Sequence, residues 1–434
     1  MQNQDNRKNF GNTLIAGVGP AAIQTAVQLS RGFSKKIGFY NRTGTHADLL
    51  REELKRNQYK VSITVQGVDK AYDAKIDCFI DSSAHLQDEW DTLILSTPCH
   101  SYSDVMESLN VENLERIKTI ILISPNIGSN DLVKSCINRS NVEVISMSTY
   151  YAATKYLSSV TVTRAHTKTF KRRIYVASSK KESHMLTVLQ RFLNGLGIKA
   201  EKVDDPVDAE CRNITTYVHP ALFMNAFTLD EIFKLHTSGK KFMYKLYPEG
   251  PITKETIRAM VALWKETSGL VERLGAKPIN LLQFLNDDNY PVPEVCLSRE
   301  DIENYQNYEE TKQEYLLYIR YSTILIDPFS QPDENGRYFE FSAVPFKHAN
   351  RDEEGRWKVP RIPFEDYQKL RVIYGISQKL GIEMPKTKLI INNFELQCKK
   401  IESKLVMKES LLHPWEDSSI CDVNAIIKAR GNRS

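Results

Sequence analysis

A glycine turn, one arginine and one histidine stand out in this 434-residue chain as groups whose type and setting could do chemistry. The apolar run Thr13-Leu14-Ile15-Ala16 breaks into Gly17-Val18-Gly19-Pro20-Ala21-Ala22, and Ile23 to Leu29 continues at helical spacing. A strand, Gly-x-Gly-x-x-Ala turn and helix of this kind suit a dinucleotide. Gly17 permits the tight turn, Gly19 admits a pyrophosphate close to the backbone, and Ala22 lets helix and strand pack closely. Pro20 and Ala21 open the helix, whose unpaired N–H groups and dipole favour phosphate. The following strand, Ile37-Gly38-Phe39-Tyr40, ends in Asn41-Arg42-Thr43. An NAD site usually carries an acid there for the ribose 2′-hydroxyl, whereas the charge and planar donors of Arg42 suit a 2′-phosphate. The expected cofactor is therefore NADPH, with NADH as the alternative.

The histidine lies in Cys211-Arg212-Asn213-Ile214-Thr215-Thr216-Tyr217-Val218-His219-Pro220-Ala221-Leu222-Phe223-Met224-Asn225, where polar and apolar residues mix more than a core helix needs. Pro220 places His219 either at a helix start or beside a kink. An imidazole in such a setting can take and return a proton near neutral pH. Asn225 follows six residues on, about 240° around an ideal helix, which assigns it to the cofactor side while His219 serves the substrate side. Asp327, before Pro328, could orient a histidine or bind an amine, and is equally an Asp-Pro helix stop. Tyr244, Lys245, Tyr247 and Glu249, ahead of Gly250-Pro251, form a polar and aromatic loop suited either to lining a pocket or to solvent.

These residues require two kinds of scaffold. From residue 13 to about 180, strand-length apolar runs alternate with helical segments: Leu14–Ala16, Ile37–Tyr40, Val61–Val65, Thr92–Leu95, Ile120–Ile123, Val144–Met147 and Ile174–Val176. Near-continuous apolar strands suit a parallel sheet buried on both faces. Several end in small polar residues, Ser96-Thr97-Pro98, Ser124-Pro125-Asn126 and Ser148-Thr149-Tyr150. Ligands of doubly wound sheets lie outside the carboxyl ends of the strands, so Thr97 and Pro98 are candidate cofactor residues. After Lys202 the alternation stops. Thr253 to Leu274 is an amphipathic helix ended by Gly275, Glu314 to Ile326 is another, and Arg337–Val344 with Trp357–Ile362 are expected to pair as a hairpin across Arg351–Gly355. The expected fold is an α/β N-terminal Rossmann-type doubly wound parallel sheet over 1–200, then a mainly α-helical C-terminal domain with a β-hairpin insertion over 201–434.

Composition narrows the classes further. Apolar residues make up 41% and charged residues 26%, and the chain shows neither an apolar run of membrane-spanning length nor a leader at its start, which leads to the expectation of a cytoplasmic protein without membrane contact. Seven scattered cysteines without a C-x-x-C pair argue against a disulfide framework and a zinc site. A net charge of +4 with no basic block gives no sign of nucleic acid. H-E-x-x-H, G-x-S-x-G and G-K-[ST] are all missing from the sequence, which removes support for metal hydrolysis, serine acyl transfer and nucleotide hydrolysis.

Taken together, Gly17–Gln24, Tyr217–Asn225, Lys245-Leu246-Tyr247-Pro248-Glu249-Gly250-Pro251-Ile252-Thr253 and Ile324–Gly336 resemble the bacterial opine metallophore dehydrogenases over nearly the whole chain. The resemblance implies an enzyme that joins the amine of a histidine-derived aminobutyrate to an α-keto acid, pyruvate or 2-oxoglutarate, and reduces the imine with NADPH. It implies a metal-binding product and no metal in the protein, His219 as general acid/base, and a homodimer. Substrate carboxylates then need cationic or hydroxyl partners, for which Arg212 and Tyr150 are the candidates. The chain departs from the pattern at Tyr151-Ala152-Ala153, where an acid is missing, and at Asp48, where a second basic residue for the phosphate is missing. An ordinary 2-hydroxy-acid or amino-acid dehydrogenase, and a dinucleotide-sensing protein without catalysis, are the competing readings.

Overall fold

The computed structural model describes residues 9–158, 161–233, 239–324, 332, 334–336, 342–352, 355–404 and 419–431. The chain forms two compact units, one running to Arg212 and rejoined by residues from Asn424, the other Asn213–Val423. The division thus falls after Arg212 rather than at 200, because the short helix that follows residue 202 is packed into the first unit.

The first unit contains strands β1 (Asn12–Ala16), β2 (Lys36–Tyr40), β3 (Lys60–Val65), β4 (Val68–Lys75), β5 (Cys78–Ile80), β6 (Thr92–Leu95), β7 (Thr119–Leu122), β8 (Glu143–Met147), β9 (Ala152–Tyr156), β10 (Arg164–Phe170), β11 (Arg173–Ser178) and β12 (Lys199–Lys202). Its helices are α1 (Pro20–Leu29), α2 (Thr45–Arg56), α3 (Tyr102–Ser108), α4 (Ser129–Ser135), α5 (His184–Gly195) and α6 (Pro206–Glu210). Eight strands form one sheet in the order β12-β11-β8-β7-β6-β1-β2-β5. It is parallel except where β11 meets β8. β1, β6 and β7 sit in its middle with nearly every side chain buried, as continuous apolar strands must.

One expected strand went elsewhere. Val61–Val65 lies in a second sheet, ordered β4-β3-β10-β9, and not in the main one. Its residues alternate, with Val61 and Ile63 buried and Ser62 and Thr64 less so, which is the pattern of a strand with a single buried face. That second sheet packs on α1, and every α1 residue from Ala22 to Leu29 is buried. The helix PAAIQTAVQL carries no charge, so it tolerates cover on both sides. Its polar groups are used inside: Thr25 Oγ1 is 3.0 Å from the Tyr151 hydroxyl, and Gln24 Oε1 accepts from Tyr151 at 2.5 Å.

α6 brings a carboxylate into this unit. Glu210 is fully buried and accepts from the Gly128 and Asn130 N–H groups at 2.8 Å each and from Ser146 Oγ at 2.9 Å. Burial, with Asp131 adding to it, pushes its carboxyl up from 4.5 to about 8 against those hydrogen bonds. The folded chain thus keeps a proton that the unfolded chain releases between about 4.5 and about 8, and stability falls as pH rises through that window. The unfolding temperature is expected to drop from pH 5 to pH 8 in a thermal melt, and to drop less in Glu210→Gln. Asp131 meanwhile pairs with Arg430 at 3.1 Å, which ties α15 (Ser419–Gly431) to the first unit at its C-terminal end.

The second unit is helical: α7 (Ile214–Phe223), α8 (Ala226–Ile232), α9 (Lys254–Arg273), α10 (Leu281–Asp287), α11 (Arg299–Asn304), α12 (Glu310–Thr323), α13 (Arg361–Lys379) and α14 (Pro385–Lys404). α9 agrees with its sequence pattern, capped by Thr253, whose hydroxyl accepts from the Thr256 N–H, and stopped at Gly275 with φ +76°. α12 begins a turn earlier than expected and ends at Thr323. A two-stranded ribbon is present, but Trp357–Lys358 (β14) pairs with Asn350–Arg351 (β13) and not with residues 342–344, while 337–341 lie outside the described residues. α7 packs between α9 and α13. Among the described residues no helix is long and apolar enough to cross a membrane.

Candidate functional site

The glycine turn is held by the strand beside it. Gly17 has φ +87°, in the left-handed region that glycine adopts without penalty, and a Cβ there would strike Thr97. Its N–H donates to Tyr40 O at 2.9 Å, and the Val18 N–H donates to Asn41 Oδ1 at 3.0 Å. Asn41 therefore fixes the turn from the position where an acid would bind a ribose. On the far side His46 Nε2 lies 2.7 Å from Val18 O. Around Gly19 a Cβ would meet nothing within 4 Å, so the turn faces open space. Pro20 is the first helical residue, and the first intrahelical bond runs from Ile23 N to Gly19 O at 3.1 Å, leaving the N–H groups of Ala21 and Ala22 ahead of it.

Two observations fit a phosphate-bearing cofactor at this edge. The Ser96 and Thr97 hydroxyls, at the end of β6, are buried without a partner, and such groups cost about 1–3 kcal/mol each when left unmet. Pro98 follows and opens the short turn Cys99–Ser101. Arg42 is exposed and only loosely held, 3.5 Å from Asp104; a pair this exposed contributes about 0–1 kcal/mol, so its guanidinium is readily given to an incoming anion. Asp48 is committed to Arg51 at 2.6 Å.

In the second unit the histidine is set by helix packing. α7 is capped by Asn213, whose side chain accepts from the Thr215 N–H, and runs through Pro220 to Phe223. His219 is thus inside the helix, not at its start. Its ring meets Phe223 edge-on at 4.9 Å, and Nδ1 lies 3.1 and 3.2 Å from the two oxygens of Asp366 on α13. Asp366 is 4% exposed. A buried carboxylate can only accept, so Nδ1 carries the hydrogen and Nε2 is the nitrogen that exchanges protons. Nε2 lies 3.5 Å from the Tyr244 hydroxyl. This chain, in which the phenol faces Nε2 and the Nδ1–H donates to the carboxylate, could work as an acid/base device with its tautomer fixed. Beside Asp366, burial raises the carboxyl of Glu365.

Tyr244 also lines a cleft of about 330 Å³, with Lys245, Leu246, Tyr247, Pro248, Glu249, Tyr321, Ile324 and Ser342. The polar aromatic loop is therefore a wall and not merely a solvated turn. It closes on itself through Tyr247 N to Ile252 O at 3.0 Å and Gly250 N to Leu246 O at 3.0 Å, and Gly250 has no room for a side chain against the Lys245 backbone. Lys245 brings an ammonium to the wall, 3.3 Å from Glu249.

The other expected residues have structural work to do. Asn225 starts α8, accepting from Thr228 N at 3.0 Å and donating to Ala221 O and Leu222 O, which fixes the α7–α8 corner. Arg212 donates to Asp208 O and lies over the Tyr175 ring, 5.1 Å from its centre. The Tyr150 hydroxyl lies 3.0 Å from Thr154 and donates to Gln24 at 3.3 Å, and burial raises its pKa. Asp327 falls outside the described residues. Among the described residues no cluster of three or more His, Cys, Asp or Glu could hold a metal ion.

Comparison with known proteins places the chain in a family. The model of the staphylopine dehydrogenase family matches residues 11–428. The chain is 42% identical over 391 residues to a pseudopaline synthase of Pseudomonas aeruginosa, covering 89% of this chain and 90% of that one. It is 36% identical over 393 residues to a staphylopine synthase of Staphylococcus aureus, at 89% and 90% coverage. A yersinopine dehydrogenase structure with NADP+ bound superposes with a TM-score of 0.89 at 32% identity, covering 97% of this chain and 99% of that one.

Proposed function

This chain belongs to the staphylopine dehydrogenase family and is an NADP-dependent oxidoreductase acting on CH–NH groups, and we propose that it reductively condenses a histidine-derived aminobutyrate with pyruvate or 2-oxoglutarate. The product is an opine, a secondary amine with several carboxylates that chelates metal. The metal is cargo of the product. The observation that carries this reading is the Asp366–His219–Tyr244 chain at the edge of the second unit's cleft.

Carbinolamine formation and loss need one proton taken from the entering ammonium and one delivered to the departing hydroxyl. An imidazole fixed by a buried carboxylate does both. Gly17, Gly19, Pro20, Ala21, Ala22, Ser96 and Thr97 would hold the nucleotide, with Arg42 at its 2′-phosphate; when bound, NADPH supplies the hydride that reduces the imine. Lys245, on the cleft wall, is the cation we assign to a substrate carboxylate in place of Arg212. The first unit is the nucleotide domain and the second the substrate domain. We place the enzyme in the cytoplasm as a homodimer acting on small molecules; its seven cysteines are free, as suits a reducing compartment.

The test is NADPH oxidation with amine and keto acid supplied singly and together. Oxidation is expected only with both; oxidation with keto acid alone would return the protein to the 2-hydroxy-acid dehydrogenases. In the same assay Arg42→Ala is expected to raise KM for NADPH about 10–100-fold, the equivalent of one or two charge-assisted hydrogen bonds, with little change for NADH.

A further inference from the structure

We propose that the Tyr244 hydroxyl is the proton donor that meets the reacting centre, and that His219 acts through it. The inference rests on the condensation assigned above. Among the described residues of the cleft wall, Tyr244 is present and His219 is not. The imidazole side chain is only 12% exposed. Asp366 takes its Nδ1, Phe223 packs edge-on against the ring, and the Tyr244 phenol stands 3.5 Å from Nε2. That distance is long for a hydrogen bond, as acid/base contacts often are before substrate draws them together. The phenol ring is itself fixed, edge-on to Phe223 at 5.6 Å and carried by the closed loop around Gly250.

The chemistry of the phenol suits a donor and not a resting base. Burial first, then the negative charge of Asp366 and the neighbouring Tyr321 and Tyr290, raise its pKa far above the working range, with Arg361 opposing weakly. It stays an O–H and moves protons only by exchange. When the substrate ammonium enters, the hydroxyl passes its own proton to Nε2 as it takes one from nitrogen, leaving a free amine and an imidazolium that Asp366 balances. The amine nitrogen then attacks the keto carbon, the C=O π pair moves onto oxygen, and a proton passes from that nitrogen to the oxygen to give the neutral carbinolamine. In dehydration the phenol proton goes to the departing hydroxyl, the C–O bond breaks, the nitrogen lone pair closes the C=N bond, and water leaves. The phenolate recovers the proton held on Nε2. No net proton or electron is consumed before reduction.

Tyr244→Phe keeps the ring and its packing and removes the one oxygen. Expected are a fall in kcat of about 10²-fold, within the range of acid/base contributions, unchanged KM for amine, keto acid and NADPH, and an unchanged unfolding temperature. The high-pH limb of the kcat profile is expected to shift as well, since the imidazolium would then deliver its proton directly or through water. Wild-type condensation with an equally active Phe variant overturns the relay and leaves the assigned reaction standing. A loss carried by KM, or by a lower unfolding temperature, overturns it too, by making Tyr244 a binding or packing residue. A wild type that fails to condense amine with keto acid overturns the reaction itself.

Discussion

His219→Asn is expected to lower kcat for the condensation by about 10²–10⁴-fold, with NADPH affinity unchanged. Asparagine keeps a polar group near the Asp366 carboxylate but cannot hold the proton that the Tyr244 hydroxyl passes on and takes back. The phenol would then have no base behind it, and the remaining turnover would depend on hydride delivery to whatever imine forms unaided. The turn that suits the nucleotide is built by residues of the first unit, so a fluorescence titration with NADPH should give the wild-type dissociation constant. Steady-state kcat within tenfold of wild type would remove His219 from the chemistry. Because Asp366 fixes which nitrogen is active, Asp366→Asn should lose activity in the same direction.

The second large effect is expected at Gly17. Gly17→Ala puts a Cβ into a backbone with φ +87° and against Thr97, whose backbone nitrogen would lie 2.9 Å away. Left-handed strain costs an L-residue about 1–2 kcal/mol, and a clash with backbone at the end of a central strand cannot be relieved by a rotamer. We expect a loss of at least about 2 kcal/mol in stability and a fall in NADPH affinity of tenfold or more. Gly19→Ala separates the two effects. Nothing stands within 4 Å of its new Cβ, so it should fold like wild type and yet bind NADPH poorly, since the methyl occupies space meant for the pyrophosphate. Thermal melts and titrations on both variants check this, and wild-type NADPH binding by Gly19→Ala would move the pyrophosphate elsewhere.

Much of this molecule could be read from its residues because the signals were local. Gly17, Gly19 and Ala22 lie within one turn, and β1, β6 and β7 announce their burial by unbroken apolar runs. β3 has the length of the other apolar runs, and only its alternation, Val61 and Ile63 buried against Ser62 and Thr64, marks it for a sheet with one buried face. Asp366 left no trace at all: it meets His219 across 147 residues, and one aspartate in a helix looks like any other until α13 packs on α7. Arg212 and Asn225 suit ligand chemistry by type, but arginine and asparagine are also common caps and clasps of helix ends, and both make such bonds here. Lys245 belongs to a loop whose composition suits a pocket and solvent equally, and only the folded loop shows that it lines the cleft.

The enclosure of α1 between two sheets bears on what cofactor binding costs. A helix with one face in solvent can open locally for a small free energy, whereas one buried along its length opens only with the structure around it. The end of α1 that we propose faces the phosphates would therefore stand ready before any nucleotide arrives. Little of the nucleotide's binding free energy goes into ordering protein, and what is saved appears as affinity.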